Sequence, residues 1–142
     1  MKLHGDEHPD IAHSYGEIGV TQHMMKDYVS AQQSHQQALH IRSKLPGDKH
    51  PDIAHSYNEI GVTRDTMTDD VSALQSHRQA FNIGLKLYGH EHANTAISYN
   101  SIGQTIYAMK DSDLAVLFFQ QANNIWFKIY GEEYPISYSG KQ

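Results

Sequence analysis

The stretch Gly47-Asp48-Lys49-His50-Pro51-Asp52-Ile53-Ala54-His55-Ser56-Tyr57 occurs almost unchanged 42 residues earlier, as Gly5-Asp6-Glu7-His8-Pro9-Asp10-Ile11-Ala12-His13-Ser14-Tyr15. The same step forward reaches Gly89-His90-Glu91-His92, followed by Ala96, Ser98 and Tyr99, and one more reaches Gly131-Glu132-Glu133-Tyr134-Pro135. A fixed period of this size restricts the chain to stacked supersecondary units, each burying its apolar side against the next. The expected organisation is a single array over 1–142, with repeats at 5–46, 47–88 and 89–130 and a truncated start of a fourth at 131–142.

One period reads as two helices. Pro51 suits the first helical turn, where its fixed φ is already helical and its missing N–H has no partner to lose. Asp52 behind it favours the positive end of the helix dipole. Ile53, Ala54, Tyr57, Ile60, Gly61 and Arg64 then recur at spacings of three and four, one stripe of an amphipathic helix over Pro51 to Thr66. Met67-Thr68-Asp69-Asp70 is short and polar, as a helical hairpin requires. A second helix is expected from Asp70 to Leu87, with Ala73, His77, Ala80, Ile83 and Leu87 on its stripe, and Gly89 marks a left-handed stop.

The copies agree in register. Gly19, Gly61 and Gly103 recur in the first helix, and Ala31, Ala73, Ala115 and Ala38, Ala80, Ala122 recur in the second. A helical glycine costs about 0.5–1 kcal/mol relative to alanine, so its return predicts that the two helices cross too closely there for a side chain. His35 and His77 occupy the packing position that Phe119 fills in the third repeat.

Composition excludes several classes. The formal net charge of −5 offers no basic field for phosphates, which argues against nucleic acid. No run of about 18 apolar residues is present and the first residues lack an apolar signal segment, so neither a membrane span nor secretion is expected. The absence of cysteine fits a reducing, cytoplasmic setting and removes thiol catalysis and thiolate metal sites.

Tyr57-x-x-Ile60-Gly61, then Ala73, a ring at His77 or Phe119, and Ala80 together resemble the tetratricopeptide repeat (TPR). The 42-residue period and the leading His50-Pro51-Asp52-Ile53-Ala54 are similar to the longer variety of kinesin light chains and nephrocystin-like proteins. The resemblance covers Gly5 to Tyr130. It implies an all-α, right-handed superhelical solenoid of helix-turn-helix hairpins, and a protein interaction scaffold that docks a partner's peptide or helical segment in a concave groove lined by the first helix of each hairpin. The positions off the packing stripe that would face this groove are His13, Val20 and His23, with Gly16 between them; His55, Asn58, Val62 and Asp65; and Ile97, Asn100, Gln104 and Tyr107. Asn58 and Asn100 are the most informative pair, because a carboxamide can bond both the C=O and the N–H of a peptide backbone. Chaperone-binding members hold a C-terminal carboxylate with lysines, which these first helices lack, and Arg64 falls on the packing stripe. With Glu17, Glu59 and Asp65 near the groove, a neutral or somewhat basic peptide is better matched.

The 11 histidines form no His-Glu-x-x-His constellation and read as inherited by repetition, so no metal is expected. Glu17 and Glu59 are separated by the repeat spacing, and no phosphate loop or nucleophile elbow appears, so neither an enzyme nor a cofactor is expected. The third repeat's second helix carries Leu114, Val116, Leu117, Phe118, Phe119, Ile125, Trp126, Phe127, Ile129 and Tyr130 almost all round, the pattern of a buried helix. Its end contact, through Phe118, Trp126 and Ile129, calls for cover by further repeats or a second copy. That leaves two alternatives to groove docking: an oligomerisation segment contacting through this helix, and the sensor region of a larger protein. The Gly-Asp-Lys-His-Pro-Asp stretch itself reads as punctuation between hairpins. Where Ala93 and Asn94 replace its Pro and Asp, the helix start is expected to be the least firmly fixed.

Overall fold

The computed structural model describes residues 8–46 and 50–131, with the backbone alone at His50. The expected loop at Gly47 to Lys49, most of the fourth start and the first seven residues lie outside the described residues. Within them the chain forms α1 (Pro9–Met24), α2 (Tyr28–Lys44), α3 (His50–Thr66), α4 (Asp70–Tyr88), α5 (Ala93–Ala108) and α6 (Ser112–Tyr130), with no strand. The helices pair as hairpins, α1 with α2, α3 with α4 and α5 with α6. The hairpins join through α2 on α3 and α4 on α5, the nearest-neighbour packing of an all-α repeat solenoid.

Histidine starts the first helix of a hairpin. His8 Nδ1 accepts the Asp10 N–H at 3.0 Å, and His92 Nδ1 accepts the Asn94 N–H at 3.0 Å. Each bond satisfies one of the four N–H groups that a helix leaves open at its N-terminus. The third start, expected to be the loosest, keeps this bond and gains two contacts. Thr95 Oγ1 donates to the Gly89 carbonyl at 2.6 Å, and the Tyr88 and His92 rings stack at 4.3 Å.

The turns inside the hairpins share one device that the residue pattern did not reveal. Lys26, Thr68 and Lys110 take positive φ of 67°, 61° and 73°. The next N–H reaches back five residues: Asp27 to the Gln22 carbonyl, Asp69 to that of Arg64, Asp111 to that of Ile106, at 2.9, 2.8 and 3.2 Å. This is the Schellman closure, here with a non-glycine residue in the left-handed position. At the other end of α4, Gly89 has φ 81° as expected, but its ψ of −175° is extended rather than left-handed helical, a region that is essentially glycine's own.

The core is built from small residues. Ala12, Ala31, Ala38, Ala73, Ala80, Ala96, Ala115 and Ala122 are buried, together with Ser34, Ser56, Thr63, Ser76, Thr95 and Thr105. Ile60, Gly61, Ala73, His77 and Ala80 lie buried on the stripes expected for α3 and α4, whereas Leu87 is exposed. Small polar residues enter this core because their hydroxyls find partners: Ser34 Oγ donates to Gln22 Oε1 at 2.7 Å, and Arg64 Nη1 donates to Ser76 Oγ at 3.0 Å. In the third hairpin the same positions hold Ile106 and Phe118, which pack in one apolar cluster with Ile102 and Ala115.

The second helix of the third hairpin, expected to be buried all round, is not. Among its residues only Ala115, Ala122 and Ile125 are buried, while Leu114, Val116, Leu117, Phe127, Ile129 and Tyr130 are exposed. The reason is its place in the array, since among the described helices only α5 packs closely on it.

Candidate functional site

The first helix of each hairpin presents one row outward, at spacings of three, four and three residues. On α1, His13 is exposed and its Nε2 lies 3.3 Å from Glu17 Oε2; on α3, His55 repeats the arrangement with Glu59 at 3.4 Å. Ile97 holds this position on α5 and is exposed. Val20 and Val62 are exposed, as is Gln104 at the equivalent place, and Tyr107 at the end of α5 is 63% exposed. This row therefore offers apolar and aromatic side chains to solvent flanked by carboxylates.

The deeper positions of the row are engaged internally. His77, on α4, is 2% exposed. Its Nδ1 lies 2.9 Å from Asn58 Oδ1 and its Nε2 3.1 Å from Asp65 Oδ2. Thr105 Oγ1 of α5 donates to the same Asp65 oxygen at 2.7 Å, while Asp65 Oδ1 is buried without a partner. Burial holds His77 below the usual histidine range, and the neighbouring Asp65 opposes that shift only in part. A neutral ring carries a single N–H, so His77 donates to one of these two oxygens, Asp65 Oδ2 or Asn58 Oδ1, and not to both. His23, at the Asp65 position of α1, makes the corresponding reach to the next first helix, with Nδ1 3.5 Å from Thr63 Oγ1, and stands edge-on to Tyr28. Asn100 is half-buried, and at the position of His77 the third hairpin has Phe119, which has no ring nitrogen to offer.

Three of the expected groove residues converge. His55, Asn58 and Ile97 line a cavity of about 220 Å³ between α3 and α5, floored by Ala80 and Gly84 of α4. Tyr88, Asn94 and Ser98 also line it, with Pro51 and Ala54, and these three were not singled out by the stripe pattern. Only comparison of equivalent positions across the repeat could have marked them. The expected end-contact residues are divided: Phe118 packs inward on Ile102 and Ile106, Trp126 packs against the Ala96, Ala122 and Ile125 cluster, and Ile129 is exposed. Among the described residues no three His, Asp or Glu side chains gather as a metal site, and no helix is long and apolar enough to cross a membrane.

The tetratricopeptide repeat model matches residues 23–86 and 67–126. Among solved structures, BtubC (BKLC) from P. vanneervenii aligns with a TM-score of 0.80 at 20% identity, covering 89% of this chain and 50% of that one. The nearly identical TPR-like repeats of a Podosopora anserina protein assigned to the kinesin light chains align with a TM-score of 0.77, also at 20% identity, covering 91% of this chain and 61% of that one. The chain thus spans half to three-fifths of the length of these structures, and the likeness establishes the fold. No curated protein matches the sequence.

Proposed function

The chain belongs to the tetratricopeptide repeat family, and from that premise we propose that it is a non-catalytic, cytoplasmic interaction module that docks an extended or helical segment of a partner protein on the face lined by α1, α3 and α5. The observation that carries this reading is the exposure of Val20 on α1, Val62 on α3 and Ile97 and Tyr107 on α5, with Ile97 also lining the cavity between α3 and α5. Exposed apolar side chains on one face supply the anchors of an interface, with polar neighbours fixing register. Glu17 and Glu59 along this face, in a chain of net charge −5, favour neutral or basic segments over acidic ones. Selection from a displayed peptide library with the whole chain tests the reading. Val62→Asp combined with Ile97→Asp should abolish capture of the selected peptides, and undiminished capture by that variant would place binding elsewhere.

A second contact is supported by α6, whose Leu117, Phe127 and Ile129 are exposed. Further repeats or a second copy would cover this side. Sedimentation of the chain across a wide concentration range checks it: association weakened by Leu117→Lys supports the contact, and a monomer throughout argues against self-association.

A further inference from the structure

The 42-residue register places Arg42 of α2, Gly84 of α4 and Trp126 of α6 at one position. In the first hairpin that position is filled from within. Arg42 Nη1 donates to Ser56 Oγ at 2.8 Å and to the Asp52 carbonyl at 3.4 Å, so its guanidinium bridges α2 to the start of α3. One repeat later the acceptor positions are Ser98 and Asn94 of α5, and the arginine position is Gly84. An added Cβ at Gly84 would meet nothing within 4 Å, and the cavity of about 220 Å³ lies directly over it. Ser98 Oγ makes no hydrogen bond among the described residues, and Tyr88, also lining the cavity, offers a ring.

We propose that this cavity receives an arginine side chain from the docked partner, replacing in trans the guanidinium that Arg42 supplies in cis one repeat earlier. The proposal rests on the docking reading above and names its anchor. A guanidinium presents several N–H donors in a fixed plane, which suits the Ser98 hydroxyl and the Asn94 carbonyl together. Its flat, weakly hydrated face also packs on an aromatic ring such as Tyr88, whereas a lysine ammonium is compact and strongly hydrated. The acidic balance of the chain points the same way.

The test is a titration of the isotope-labelled chain, followed by amide resonances, with acetyl-Gly-Arg-Gly-amide and with its Lys and Leu counterparts. The arginine peptide should shift Gly84 and Ser98 saturably and bind about tenfold more tightly than the lysine peptide. Ser98→Ala should weaken it by about tenfold, the usual effect of removing a hydrogen bond to a charged group. Gly84→Arg should fill the cavity from inside and abolish the response; the open space around Gly84 allows that side chain, and if this variant does not fold, Ser98→Ala carries the test. Absence of shifts at Gly84 and Ser98, or an equal response to the leucine peptide, overturns the arginine assignment. If library-selected peptides bind through Val62 and Ile97 but are indifferent to Gly84→Arg, the arginine site fails while the docking face stands.

Discussion

A methyl group built onto Gly61 would lie 2.7 Å from the imidazole of His77, closer than a carbon can approach without displacing the ring. The same contact joins Gly19 to His35 and Gly103 to Phe119, so each hairpin closes by pressing a ring of its second helix onto bare backbone of its first. The recurring glycine thus makes room for the ring, and the recurring alanines pack alongside.

Gly61→Leu should therefore destabilise the chain by about 1–3 kcal/mol through overpacking. Chemical denaturation of the single variant and of the pair Gly61→Leu with His77→Ala checks the cause. Removing the ring should recover part of the loss, because the two changes act on one contact. Equal stability of Gly61→Leu and the parent would reject the close approach.

Acid should weaken the array through His35 and His77. Burial is the first cause holding each below the usual histidine value near 6.5, opposed by Glu59 for His35 and by Asp65 for His77. The folded chain keeps both rings neutral while the unfolded chain takes up protons below pH 6.5, so stability falls as pH drops from there and levels off below the folded-state values. Thermal melts from pH 7.5 down to pH 5 should show this slope, and it should shrink in His35→Phe.

The two histidines should respond differently to replacement by phenylalanine. His35 makes no hydrogen bond among the described residues, and Phe119 shows that the site accepts a benzene ring, so His35→Phe should be neutral or stabilising. His77→Phe strips a partner from Asp65 and from Asn58, and an unpartnered buried polar group costs about 1–3 kcal/mol. Urea midpoints for both variants measure the contrast.

Thr68 holds a left-handed conformation, φ 61°, with a β-branched side chain. That conformation costs an L-residue roughly 1–2 kcal/mol, which glycine avoids. Thr68→Gly should raise the melting temperature by a few degrees, although the extra freedom of the unfolded chain offsets part of the gain.

His92→Ala removes the acceptor for the Asn94 N–H and the stack on Tyr88. Loss of an N-cap costs about 0.5–2 kcal/mol. Amide hydrogen exchange should quicken first at Asn94 and Thr95, while α1 and α2 remain unchanged.

The helices were legible because repetition tests each boundary three times over: α3 and α4 begin and end within one residue of the limits read from Pro51, Asp70 and Leu87. What each side chain does was less legible. A hydrophobic stripe misses Ser56 and Thr63, which are buried although polar because alanine-sized volume matters more at these crossings than apolarity. It also cannot tell that Asn58 is turned toward His77 or that α6 keeps an open side, since the first depends on which ring lies beneath and the second on what packs beyond. Gly84 was visible all along in the column of Arg42 and Trp126, but a glycine near a helix end draws no attention until the space above it is seen.

The contacts between paired helices change character along the array, from Ser34 on Gln22 and His35 on Gly19 to Phe118 among Ile102 and Ile106 and Phe119 on Gly103. In a solenoid whose stability is a sum over neighbours, such a gradient gives the chain a direction. Folding would zip from the oily third hairpin toward the wetter first one, and opening would fray the other way. A partner lying along the whole face would therefore meet a firm seat on α5 and a yielding one on α1, and ordering the latter would set the rate at which it locks in.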